Sequence, residues 1–265
     1  MADGHFNVAK GARIRVKTIR IATWNLNTWI NRSKKKIYNG QLWHWADQQL
    51  AADLVIFTEA ETPPPSQSVK GWSVAHRPGG FPGVSRWGTI IAGKGLRVER
   101  IAHVGDYQLD MHYPGSLTAA DVWVGDTFVA TVVGLYLPFR KDKKKVFIGN
   151  PFEDLATVGG DLVQLFQHRR GPFVVGGDLN HEHHCIPPAL SKLGAAGTRL
   201  VDPFAGVLPK TFEQDWANRR QYTLDYLYVS ETLADRIVQK KGGIADFPTA
   251  FSMSDHAPLL LEIRI

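Results

Sequence analysis

The stretch FVVGGDLNHEHHC, Phe173 to Cys185, sets an acid, an amide and a His/Cys cluster directly after an apolar run. A carboxylate such as Asp178 can orient or deprotonate a water, and Asn180, two residues on, can donate to an oxyanion if the chain stays extended. His181, His183, His184 and Cys185 have instead the chemistry of zinc ligands. Similar polar residues recur at the ends of other apolar runs. Asn25 and Asn27 follow IRIATW, and Glu59 and Glu61 follow DLVIFT. Asp225 lies within TLDYLYVS, and Asp255 and His256 immediately precede APLLLEIRI. Strand ends along one sheet edge can bring distant residues together. A carboxylate at the end of a buried strand is costly without a partner, and a divalent cation is one such partner.

The elements that must carry these groups are mostly strands. Ile19 to Trp24 alternates, Asp53 to Thr58 and Gly88 to Gly93 are buried runs, and Thr127 to Leu137 is long and β-branched. Pro172 to Gly177, Thr223 to Ser230 and Ala257 to Ile265 complete the set. Two helices are expected. Gly40 to Ala52 places Leu42, Trp45, Ala46 and Gln49 near helical spacing. Pro151 to Arg170 places Phe152, Leu155, Leu162, Leu165 and Phe166 on one stripe, with Pro at its first turn and a basic pair at its end. Gly159 and Gly160 weaken its middle. Many strands with few helices between them suggest stacked sheets flanked by helices.

The chain has 265 residues, no linker of Gly, Ser or Pro and no internal repeat. It reads as one domain over 1–265, with residues 1–18 as an N-terminal extension. Hydrophobic residues make up 44% and charged residues 21%, an ordinary globular balance. No apolar run approaches the ~18 residues that span a membrane, and the N-terminus lacks a signal-peptide core. The single cysteine excludes an internal disulfide framework. A cytoplasmic monomer is expected. The formal charge is +6 and the excess is clumped: Arg13, Arg15, Lys17 and Arg20; Arg32 and Lys34 to Lys36; Arg140, Lys141 and Lys143 to Lys145. A polyanion such as nucleic acid is the natural partner, although solvated loops that keep a protein soluble have the same composition.

In chain order, TWNLN, FTEAE, GLYLP, GGDLNH, TLDYLYVS and SMSDHAPLLLEI resemble the motifs of the endonuclease/exonuclease/phosphatase superfamily. That family includes deoxyribonuclease I, exonuclease III-type enzymes and several phospholipid phosphodiesterases. The resemblance runs from about Ile19 to the C-terminus. It implies a four-layer α/β sandwich, two packed and mostly antiparallel β-sheets flanked by helices. It also implies Mg²⁺- or Mn²⁺-dependent hydrolysis of a phosphoester.

By the same resemblance Glu59 is the principal metal ligand, with Asn25 near metal and phosphate and Asp255 coordinating directly or through water. Glu61 is the rival carboxylate, expected to face solvent or stand behind the ligands. Asn27 stands where some nuclease relatives carry Asp; it can offer an oxygen but no charge. Asp178 would activate the attacking water and Asn180 would donate to a phosphoryl oxygen. Asp225 and His256 would form a carboxylate–imidazole pair beside the anionic transition state. Asp255 and His256 can serve one site only if the chain turns there, which Ser254 and Asp255 favour while Pro258 delays the strand. Tyr136 resembles the tyrosine of the exonuclease III branch, whose hydroxyl contacts phosphate. Phe139 departs from that branch, which usually has Asn after the Pro, and Arg140 and Lys141 could supply the missing contact.

Zinc ligands usually come from separate places at characteristic spacing, and there is no second cysteine. The Asp178-x-Asn180 pair is therefore expected to carry the chemistry, with His181 within reach of substrate. Most tryptophans should be core, but Trp29 lies beside the basic NRSKKK run and could stack a base. The leading expectation is a metal-dependent phosphodiester hydrolase acting on DNA. The rivals are a phosphatase or phosphodiesterase for a lipid or small phosphoester, and a non-catalytic nucleic-acid-binding scaffold.

Overall fold

The structure is a computed structural model that describes residues 17–28, 39–61, 70–76, 88–111, 114–137, 151–181, 186, 197–213 and 221–265. The strands begin with β1 (Thr18–Asn25), β2 (Leu54–Ala60), β3 (Trp72–His76), β4 (Gly88–Lys94), β5 (Arg97–Ile101), β6 (His103–Val104), β7 (Tyr107–Gln108), β8 (Leu117–Val124) and β9 (Thr127–Tyr136). They continue with β10 (Phe173–Asp178), β11 (Leu200–Val201), β12 (Phe212–Glu213), β13 (Gln221–Tyr222), β14 (Asp225–Ser230), β15 (Ile237–Gly242) and β16 (Leu259–Arg264). The α-helices bounded among the described residues are α1 (Asn39–Trp45), α2 (Pro151–His168), α3 (Glu231–Ala234) and α4 (Gly243–Asp246).

Two six-stranded sheets form, in the orders β15-β16-β1-β2-β4-β3 and β11-β14-β10-β9-β8-β5. Each is antiparallel except for one central parallel pair, β1 with β2 and β9 with β10. Period-two alternation then sorts every strand's side chains between two layers. Ile19 and Ile21 of β1, Leu54 and Ile56 of β2, Val174 of β10, and Leu227 and Val229 of β14 meet in the core between the sheets. Their neighbours Ala22, Trp24, Val55 and Phe57 pack outward against Leu42, Trp43, Ala46 and Leu50. Phe173, Val175, Tyr226 and Tyr228 pack outward on the other side against Leu162, Leu165 and Phe166 of α2. Helix, sheet, sheet, helix is the expected four-layer sandwich.

The helices differ from expectation in detail. Helix α2 runs unbroken through Gly159 and Gly160 because the sheet beneath it supplies the stability those residues lack. The side chains of Phe152 and Leu155 lie outside the description. Helix α1 passes into a π-helical turn, Ala46–Leu50, and buries Leu42, Trp43, Ala46 and Leu50, leaving Gln49 exposed. Strands β3, β5, β8 and β15 and the two-residue strands β6, β7, β11, β12 and β13 have no counterpart among the expected elements; β15 is the edge strand IVQKKG, whose lysines hide its β character.

Glycine brings the sheets together beneath the site. Gly134 and Gly176 are partners across the β9–β10 pair, and Ile56 of the facing sheet occupies the space above both. A Cβ at Gly134 would lie 2.8 Å from Ile56 and one at Gly176 3.1 Å from it. Gly177 is more restrictive: its φ is +143°, and a Cβ there would sit 1.8 Å from the carbonyl oxygen of Leu135. Gly177→Ala is expected to cost about 3 kcal/mol or more, combining backbone strain with a clash against main chain. A denaturant midpoint equal to that of the wild type would contradict this account.

Candidate active site

The alternation that builds the core also aims the polar residues. Asn25 shares the parity of Ile19 and Ile21, Tyr136 that of Val132, Asp178 that of Val174, and Asp225 that of Leu227 and Val229. All four therefore continue the inter-sheet layer to its rim, where strands β1, β9 and β10 end and β14 begins. Pairing locks them in line, because Asp178 is the partner of both Tyr136 and Asp225. Glu59 has the wrong parity for this layer. An extra residue in β2 between Phe57 and Ala60, with Glu59 itself at φ +46°, breaks the alternation there. The Thr28 hydroxyl holds the Glu59 carbonyl at 2.6 Å.

Asn25 joins the two sheets. Its Nδ2 donates to Asp178 Oδ2 at 2.7 Å and to Glu59 Oε1 at 3.2 Å, while its Oδ1 accepts from the Asn27 N–H at 2.8 Å. Asn27, at φ +43°, turns its Nδ2 onto both oxygens of Asp255, each at 2.7 Å. The Tyr136 hydroxyl is bonded to Glu59. Strand β10 ends at Asp178, and Asn180 takes a left-handed conformation, φ +51°, instead of staying extended. The turn returns Asn180 to Asp178: its N–H donates to Oδ1 at 2.8 Å, and its Nδ2 donates to Oδ2 at 3.1 Å and to the Leu137 carbonyl at 2.7 Å. His181 is buried beside them. Glu61 lies partly exposed at the end of β2, its carbonyl accepting from the Trp43 indole at 3.2 Å.

His256 Nδ1 meets Asp225 Oδ2 at 2.7 Å, with both side chains almost wholly buried. The chain does turn at Ser254–Asp255. The Ser254 hydroxyl donates to the Asn25 carbonyl at 2.8 Å and accepts the His256 N–H at 3.2 Å. The Trp24 indole donates to the His256 carbonyl at 2.9 Å, and the Phe212 ring lies 4.8 Å from the imidazole. Trp24, Thr28 and Phe212 thus support the site without having been singled out from sequence, and Ser254 was expected there as a turn residue alone. Only Ser254, in the SMSDHAP turn, carried a local signal. Trp29, Arg140, Lys141, His183, His184, Cys185 and most of the basic clusters lie outside the described residues.

Burial sets the electrostatics. It pushes the Glu59 carboxyl above its usual range, against the opposing pull of His256 and the Asn25 and Tyr136 hydrogen bonds. Burial likewise pushes Asp178 well up, aided by the Asp225 and Glu59 charges and resisted by His256 and the Asn180 N–H. For His256 burial acts downward, but the charge and hydrogen bond of Asp225, with Asp178 and Asp255, outweigh it and raise the imidazole to about 10. The donor set is oxygen-rich and short of positive charge, which suits a hard cation bound by one or two carboxylates and water. Among the described residues no group of three His, Cys, Asp or Glu side chains forms a ready cage. No helix among them is long and apolar enough to cross a membrane.

No protein-family model matches the chain, and no curated protein matches it. Solved structures do. An AP endonuclease from Leishmania major superposes with a TM-score of 0.64 at 16% identity, covering 94% of this chain and 88% of that one. An AP endonuclease from Archaeoglobus fulgidus gives 0.60 at 19% identity, covering 93% and 100%. A 3′ phosphatase from Neisseria, bound to product DNA hairpin, gives 0.60 at 17% identity, again over 93% and 100%. The chain has the fold of the endonuclease/exonuclease/phosphatase superfamily.

Proposed function

We propose that this protein is a divalent-metal-dependent phosphodiester hydrolase acting on DNA. The observation that carries the reading is the convergence of Asn25, Glu59, Asp178 and the Asp225–His256 pair, from both sheets, at one rim of the sandwich. Glu59 would hold Mg²⁺ or Mn²⁺, with Asn25 and Asp255 completing its surroundings directly or through water. A bound cation supplies positive charge against the phosphoryl and leaving oxygens. Asp178, with its raised basicity, takes the proton of the attacking water as the new oxygen–phosphorus bond forms and the leaving-group bond breaks. Asn180 and Asn25 orient that carboxylate. His256, held through Nδ1 by Asp225, presents its other ring nitrogen to a phosphoryl oxygen as an imidazolium donor. The net charge of +6 and the DNA-bound Neisseria neighbour support a nucleic-acid substrate.

The test is nicking of supercoiled plasmid with Mg²⁺ or Mn²⁺, with EDTA as control and across a salt series. Metal-dependent nicking that weakens steeply with salt supports the reading. Release of phosphate or headgroup from small esters, indifferent to salt, would replace DNA as the substrate class. The metal assignment has its own readout in thermal unfolding. Added Mn²⁺ is expected to raise the wild-type midpoint, by about 2.7 kcal/mol of stabilisation at a hundredfold excess over Kd. Glu59→Gln should abolish that response, and an undiminished shift would remove Glu59 from the metal site.

A further inference from the structure

Asp225 and His256 stand on different sheets: β14 belongs to one, and His256 leads into β16 of the other. Their 2.7 Å contact therefore depends on how the two sheets are held at this rim. One residue is bonded to both backbones. Thr211 is fully buried, and its Oγ1 accepts the main-chain N–H groups of Leu224 and Asp225, each at 3.1 Å. Its carbonyl accepts the N–H of Ala257, next to His256, at 2.7 Å. Its own N–H donates to the Tyr222 carbonyl at 2.9 Å, beside the antiparallel β12–β13 pair. The next residue, Phe212, bridges to the His256 backbone and sets its ring 4.8 Å from the imidazole at a tilt of 45°, and Glu213 N–H donates to the Asp255 carbonyl at 3.2 Å. The two N–H groups served by Oγ1 lie where the chain leaves β13 and enters β14, and a buried N–H must find an acceptor.

We infer that Thr211 is a positioning residue for the reaction: its hydroxyl fixes Asp225 and its carbonyl fixes His256, so that one side chain and one peptide set the carboxylate–imidazole distance across the two sheets. The inference rests on the reading of this rim as a phosphodiesterase centre. Its geometric content stands apart from that reading. Valine keeps the shape of threonine but offers no acceptor, so Thr211→Val leaves two buried donors beside Asp225 unpaired. Serine restores the acceptor. Displacing a reacting group by about 1 Å can cost on the order of a hundredfold in rate.

The experiment pairs two readouts on the full chain. The first is the low-field proton NMR signal of the His256 Nδ1–H···Asp225 hydrogen bond, recorded on metal-free protein and identified by its loss in His256→Gln. The second is the split between kcat and KM for metal-dependent plasmid nicking. Thr211→Val is expected to lose or shift the signal and to lower kcat by about 10- to 100-fold with KM little changed, and Thr211→Ser to recover both. Thr211→Ala, which leaves room for a water at the two N–H groups, should show the same direction if the valine variant does not fold. A folded valine or alanine variant that keeps the wild-type signal and kcat overturns the proposal, as does failure of serine to rescue. A wild type without nicking refutes the phosphodiesterase reading, and the NMR comparison then decides the positioning role alone.

Discussion

Asp178→Asn is expected to lower kcat for phosphodiester hydrolysis by on the order of 10³- to 10⁴-fold, the upper range for loss of a positioned general base. The substitution is nearly isosteric and 99% buried at a position where the carboxylate accepts from Asn25 and twice from Asn180. The fold should therefore survive while the proton acceptor is lost. A second consequence is independent of turnover. The Asp178 carboxyl is raised by burial and by its acidic neighbours, so the folded protein binds that proton more tightly than the unfolded chain. In metal-free protein this makes stability rise as pH falls from above the usual carboxylate range toward 3.8. Asp178→Asn should flatten the slope over that window. Activity within tenfold of wild type would remove Asp178 from the general-base role, and an unchanged slope would mean that its burial does not perturb it as described.

Asp225→Asn is expected to reduce kcat/KM at neutral pH by about 10²- to 10³-fold, the usual cost of removing an electrostatic donor from a transition state. His256 itself stays in place, but the charge that counters its burial is gone. The sign is fixed by the direction of the shift. A raised imidazole pKa keeps the ring protonated through neutral pH and releases the proton only as pH passes about 10. In the same way the stability from this pair is fully present below 6.5 and is lost as pH rises through about 10. In Asp225→Asn burial acts unopposed by its nearest carboxylate, so the alkaline limb of kcat/KM should move to lower pH by more than one unit. A pH–rate profile of Asp225→Asn with the wild-type alkaline limb would show that the pair does not set the imidazole's charge.

Part of this was legible in the chain because it is local. Alternation in IRIATW and the short apolar runs DLVIFT and PFVVGG mark strands, and a polar residue at the end of such a run marks where the strand reaches the rim of the sheet. The break at Ser254–Asp255 and the strand after Pro258 also follow from neighbouring residues, whereas the left-handed turn that returns Asn180 to Asp178 was not read from them. The strands that went unread are those whose pattern is set by context: IVQKKG pairs only because β16 offers an edge, and LTAADVWV buries Asp121 beside the Thr131 hydroxyl.

What only the tertiary structure decided are relations between segments far apart in the chain. Sequence parity points Glu59 away from the site, and a bulge opposite β4 brings it back. That Asn27 embraces Asp255, that Trp24 holds the His256 carbonyl, and that Thr211 serves two sheets at once are contacts across more than 200 residues or between different sheets. The reason is physical. Periodicity encodes which side of an element meets water, whereas hydrogen bonds between elements depend on how closely two sheets approach, and that spacing is set by the Gly134–Gly176 window under Ile56. The residue types of the candidate centre were therefore written along the strands, and the distances between them came from the packing of one sheet on the other.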